Sequence, residues 1–192
     1  MKMNARLLFL ALPLSLASMA FAQHETFTVN PQTSQVSFGL SATGHHVDGT
    51  FHVQDGVIAF DPSAQTISGS VAVAAGSGNS GDKNRDKKMD SEVLNTDKYT
   101  DITFQPKSYT GKLAPTGDSN IQVSGIFTLH GSTHNITVPM QVHIAGSSLE
   151  AKGQFQVPYV KWGLKNPSVF ILKVAKVVDI QLDLKGGLTP AS

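Results

Sequence analysis

Seven histidines are the side chains of this sequence best suited to chemistry at neutral pH. His45 and His46 are adjacent, and His130 and His134 flank a candidate turn. Neighbours on a strand point to opposite faces, so His45 and His46 do not chelate one ion together. His130 and His134 would give two ligands with no third in view, short of a zinc site. The chain has no cysteine, and no metal ligands are assigned. Catalysis needs a nucleophile beside a base, or paired acids in a cleft. Neither a G-x-S-x-G elbow nor a glycine-rich phosphate loop occurs. Asp86 and Asp90 are acids at helical spacing, but their segment reads as solvated. An enzyme is not predicted.

That segment is the most charged in the chain. Asp82 to Glu92 (DKNRDKKMDSE) holds eight charges, out of 15 basic and 14 acidic residues in all. It contains Arg85, the only arginine after Arg6. It does not alternate. Asp82 is suited to N-cap a helix, and Asp86 with Asp90, like Lys88 with Glu92, falls on a shared helical face. The spacing predicts a short helix of about three turns whose narrow apolar edge is Met89 and Val93, followed by Leu94. Either it lies on the surface with its charges in water, or it crosses an open end of whatever the rest of the chain builds.

The rest of the chain has a period of two. Val36, Phe38 and Leu40 alternate with polar or small residues, as do Ile67, Val71 and Val73. Longer rows follow at Ile121 to Leu129, Ile136 to Ile144, Leu149 to Val157, and Val178 to Leu184. Alternation of this kind marks antiparallel strands with one dry face. His130-Gly131 and Gly146-Ser147 sit at turns between rows, and Asp55-Gly56 is expected to make a tight hairpin. Gly69, Gly125 and Gly153 fall on the apolar side, where glycine permits sharp coiling. Pro139 cannot donate to a ladder, so a bulge or edge is expected there. The polar tract 111–120 reads as a loop, and the apolar run 167–178 lacks clean alternation. About eight such strands, closed on themselves, are enough to hold one small ligand. The predicted class is all-β with one short charged helix; the sheet either packs on a second sheet or curls into an eight-stranded antiparallel barrel.

Residues 1–22 carry the marks of a secretory signal peptide: Lys2 and Arg6, an apolar stretch from Leu7 to Ala17, and Ala20-Phe21-Ala22 before the cut. The expected domain is then 23–192, one unit. No other apolar run is long enough to span a bilayer. Lys2 and Arg6 are two of the 15 basic residues, so the remainder falls one short of the 14 acidic ones. Such a near-neutral domain gives no electrostatic reason to expect nucleic acid as partner.

Six motifs, in order, resemble the YceI-like family of exported bacterial proteins. They are Gln35–Phe38 (QVSF), Val47–Phe51 (VDGTF), Asn84–Ser91 (NRDKKMDS), Tyr99–Phe104 (YTDITF), Gly125–Thr133 (GIFTLHGST) and Val178–Ile180 (VDI). The resemblance implies a lipocalin-like barrel in the periplasm. It would hold a polyprenyl lipid or isoprenoid quinone non-covalently, with no cofactor and no established catalysis, and with the charged helix at the entrance. The chain departs from the family pattern at Val93-Leu94, where an aromatic pair is common, and at Tyr159–Gly163.

On this reading the ligand wall comprises Val36, Phe38, Leu40, Phe51, Phe60, Phe104, Phe127, Met140, Val142, Phe155, Phe170, Ile180 and Leu182. Arg85, Lys88 and Met89 are assigned to the head group and mouth. Without the resemblance, the same apolar rows read as readily as a filled core. Two alternatives follow: an interaction protein with a filled barrel, or a histidine-dependent metal-binding stress protein. Oligomeric state is open, a homodimer included.

Overall fold

The computed structural model describes residues 24–190; the expected signal peptide lies outside them. Ten strands are present among the described residues: β1 (Glu25–Val29), β2 (Gln35–Ala42), β3 (His45–Phe51), β4 (Val53–Asp61), β5 (Thr66–Ala74), β6 (Asp101–Thr110), β7 (Gly117–Leu129), β8 (Ser132–Ala145), β9 (Ser148–Val157) and β10 (Val178–Pro190). They form one antiparallel sheet. Its ring closes because β1 pairs with β4 on one side and β10 on the other. Strand β2 continues β1 along β10, and β3, paired to β2, runs on past His52 into β4. Two of the staves are thus broken strands, and the barrel has eight.

The alternating rows dictate this closure. Each apolar face must leave water, and a curled sheet lets it do so without exposing an edge. In β7, Ile121, Val123, Phe127 and Leu129 are buried while Gln122 faces out. At the next turn His130 (φ 51°) and Gly131 (φ 72°) both take left-handed backbone, as the favoured two-residue hairpin requires. Pro139 marks the expected edge. The β8–β9 ladder begins at Met140↔Gly153, so residues 132–139 have no strand partner on that side. A loop fills the gap: Trp162 stacks on His134 of β8, ring centroids 3.8 Å apart and planes 6° from parallel.

Two expectations about turns and loops are corrected. Asp55-Gly56 is not a hairpin; it lies within β4, beside a bulge between Val53 and Asp55. The chain reverses instead at residues 62–65, where Asp61 Oδ1 accepts from the Ser63 and Ala64 amides at 2.7 and 3.0 Å. The loop expected over 111–120 covers only 111–116, since β7 starts at Gly117.

Asp61 is buried, 1% exposed, and His24 Nδ1 stands 3.2 Å from its other oxygen. The Ala64 amide first, then Ser63 and the charge of His24, outweigh burial and hold its carboxyl below the ordinary 3.8. A depressed folded pKa gives stability that is complete above the unfolded value and lost as pH falls through the folded one. Asp61→Asn is therefore expected to lower the melting temperature at pH 6 and to flatten its decline below pH 4. Thermal unfolding of both proteins across that range checks this.

Candidate functional site

The barrel is not filled. Its interior holds a cavity of about 610 Å³, within the range typical of small-molecule sites. Every stave contributes to the wall. Val36, Phe38 and Leu40 come from β2, Phe51 from β3 and Phe60 from β4; Phe104 comes from β6 and Phe127 from β7. Met140 and Val142 of β8, Phe155 of β9, and Ile180 and Leu182 of β10 complete the predicted set. Aromatic contacts brace it. Phe38 and Phe51 lie 5.3 Å apart, and Phe127 meets Phe155 edge-on at 5.6 Å.

Phe170 is the exception. It stands away from the wall, 94% exposed. The run 167–178 is irregular and reaches the cavity through Pro167, Leu172, Val174 and Val178.

The structure adds wall residues that alternation did not reveal. Tyr109 follows a register shift in β6 between Pro106 and Ser108, so the count by twos from Phe104 ends before it. Its ring is buried and its hydroxyl donates to the Asp61 carbonyl at 3.4 Å. Burial, then the Asp61 charge, push its pKa above 10.0. Leu113, from the loop 111–116, lines the same end of the cavity. Tyr159 lines it near the other end, its hydroxyl donating to Ala175 O at 2.8 Å, and desolvation raises its pKa as well.

That other end carries the charged segment. A helix, α1 (Lys83–Lys88), is capped by Asp82, whose carboxylate accepts from the Asn84 and Arg85 amides. It widens into a π turn over Met89–Leu94, ended by Asn95 in left-handed backbone. Leu94 is buried, and Met89 and Val93 pack on the core. The segment therefore lies over the barrel end, apolar edge inward. Arg85, Lys88 and Met89 all border the cavity. Arg85 Nε donates to Ser80 Oγ at 2.7 Å and Nη2 to Ser80 O at 2.8 Å, which fixes the guanidinium beside the opening. Glu92 takes an ion pair from Lys165 of the loop 158–177 at 2.6 Å. The Lys165 hydrogen bond, then its charge, hold the Glu92 carboxyl below 4.5.

The charged side chains on the cavity surface, Asp82, Arg85 and Lys88, gather at this end with Ser80, Asn84 and His45, while Tyr109 brings a hydroxyl to the opposite end. Deeper, the wall is almost wholly aliphatic and aromatic. The histidines are dispersed. His45 borders the opening, His46 sits 3.2 Å from Asp48, His130 packs on Tyr99 and His134 on Trp162. No group of three or more His, Cys, Asp or Glu suited to a metal occurs among the described residues. No helix among them is long and apolar enough to cross a membrane.

A family model for the YceI-like domain matches residues 27–186. A Vibrio cholerae UPF0312 protein is 24% identical over 192 residues, covering 97% of this chain and 98% of its own. Among solved structures, Burkholderia cenocepacia BcnA superposes with a TM-score of 0.66 at 22% identity, covering 82% of this chain and 99% of that one. A polyisoprenoid binding domain from Saccharophagus degradans, implicated in plant cell wall breakdown, gives 0.64 at 15% identity, covering 86% and 98%. At these identities the structural likenesses establish the fold.

Proposed function

The chain belongs to the YceI-like domain family, and from that premise we propose that it binds an isoprenoid lipid or quinone inside the barrel and carries it in the periplasm. One observation carries the reading: an apolar cavity of about 610 Å³ whose charged lining side chains, Asp82, Arg85 and Lys88, all lie at one end. Such a space suits a long apolar tail with a single polar head. Each buried methylene contributes about 0.8 kcal/mol. Ten of them give roughly 8 kcal/mol before the cost of immobilising the chain. Length and dryness supply the affinity, so the wall needs no specific polar group. The head group rests at the helix end, with Arg85 and Lys88 as its partners. The likeness to a polyisoprenoid binding domain supports the ligand class.

Binding is non-covalent, needs no cofactor and involves no catalytic step; the ligand is the partner, not nucleic acid. The leader over residues 1–22 directs export. A filled barrel used only for protein contacts would not leave this volume empty.

The test is native mass spectrometry of protein recovered from the periplasm, followed by solvent extraction and mass spectrometry of the extract. The expected result is a stoichiometric prenyl-chain species. An apo mass that does not change on adding a quinone or a polyprenol would overturn the reading.

The segment over the opening acts as a lid on this account. Met89→Ser with Val93→Ser removes the apolar edge that seals it. Ligand release to acceptor vesicles is expected to quicken roughly tenfold, the equivalent of about 1.4 kcal/mol of lost apolar contact. An unchanged rate would show that the ligand leaves by another route.

A further inference from the structure

The loop 158–177 exposes apolar side chains that the carrier reading does not use. Phe170 is 94% exposed, Ile171 84% and Val169 52%. Three adjacent large apolar residues presented to water are costly and mark an interaction site. They are not held loosely. Val169 N–H donates to Leu172 O at 2.9 Å, closing the tip. Below it, Asn166 Oδ1 accepts from the Ser168 amide and hydroxyl, and Ser168 Oγ accepts from the Val174 amide at 2.8 Å. The base is tied to the β2–β3 turn by Thr43 N–H to Lys173 O at 2.9 Å and Ala175 N–H to Ser41 O at 2.8 Å. A built frame thus holds an apolar tip away from the barrel.

Charge indicates what covers it. From Ala151 to Val178 the sequence has no acidic residue and five lysines, of which Lys161, Lys165, Lys173 and Lys176 belong to this loop. Only Lys165 among these four forms an ion pair among the described residues, with Glu92. The neighbouring segment 82–92 is balanced, with Asp82, Asp86, Asp90 and Glu92 against Lys83, Arg85, Lys87 and Lys88. The loop itself is therefore the positive element here, with Asp48 and Asp179 lying off to the side beside residues 79–81. An apolar tip on a loop that carries four lysines and no acidic residue matches a surface with anionic head groups above a hydrocarbon interior. The same loop borders the cavity opening through Pro167, Leu172 and Val174, so a bilayer meeting the tip would face the opening.

We propose that the tip Val169–Ile171 inserts into the interface of an anionic phospholipid bilayer and that the loop lysines hold it there, docking the open end of the barrel on the membrane. Docking does not depend on what the cavity carries, so it is tested with vesicles that contain no prenyl lipid. Protein is purified as the cell processes it, with its mass confirming that no apolar leader remains. It is then sedimented with vesicles of phosphatidylethanolamine and phosphatidylglycerol, or of phosphatidylcholine alone. Binding is expected to the anionic vesicles and to weaken with salt. Phe170→Ser with Ile171→Ser should reduce it roughly tenfold or more, and each of Lys161→Gln, Lys173→Gln and Lys176→Gln about fivefold. Both side chains of the double variant are exposed, so its melting temperature should match the parent. Equal binding by parent and double variant would overturn the proposal. So would failure to bind anionic vesicles, or a dimer in sedimentation velocity that the double variant dissociates, which would assign the tip to a second copy of the chain.

Discussion

Gly69→Ala is expected to destabilise the barrel by roughly 3 kcal/mol or more, lowering the melting temperature by about 6–12 °C. Gly69 lies mid-strand in β5 opposite Ile58 of β4, yet its φ is +114°, in a region other residues rarely enter. A Cβ there would stand 2.1 Å from the Val57 carbonyl oxygen. The obstacle is backbone of the paired strand, so no rotamer relieves it; the β4–β5 ladder must shift. The two strands approach this closely only because the residue has no side chain. Gly187→Ala is the control. It lies in a strand, with open space around the new Cβ and no unusual φ, and is expected to stay within about 0.5 kcal/mol of the parent. Comparable losses in both would mean that β5 does not have this conformation.

Gly69 also shows how sequence and structure relate in this protein. Alternation alone identifies the inward rows of β7, β8, β9 and β10, because one face of each is dry along its length. Joined to the resemblance, it puts on the wall twelve side chains that line the cavity. It fails where the period slips. The bulge after Pro106 hides Tyr109, and the bulge after Val53 lets Asp55-Gly56 pass as a turn although the strand runs through it. The true reversal at residues 62–65 follows Asp61, where an Asp-Pro pair supplies the turn chemistry. Phe170 misled for a different reason. Apolar character predicts that a side chain leaves water but not what covers it, and nothing in the barrel covers Phe170. The charged segment, by contrast, was legible in outline, including its cap at Asp82 and its inward Met89 and Val93. That it lies over the opening could not follow from local spacing, because the barrel end is assembled from elements far apart in sequence. The resemblance implied that position.

The hollow interior makes Ala151→Trp the sharpest test of the carrier reading. Ala151 sits in β9 between Val142 of β8 and Leu184 of β10, in the half of the barrel away from the helix, and lines the cavity. In a filled core, so large an addition costs about 1–3 kcal/mol of stability. Here the indole enters empty space, and the melting temperature is expected to change little. Binding should change a great deal. If the ring displaces about four methylene groups of a long tail, the loss is about 3 kcal/mol, or roughly two hundredfold in Kd. A short-tailed quinone that ends nearer the opening should bind parent and variant alike. That contrast, read by titrating long- and short-tailed ligands against both proteins, separates a shortened cavity from a damaged one. Equal weakening of both ligands would mean that the barrel has collapsed. Undiminished binding of the long ligand would mean that its tail never reaches Ala151. A selective loss of the long ligand would establish that the tail runs the depth of the barrel, from the lid toward Leu113, and that cavity length sets which chains are carried.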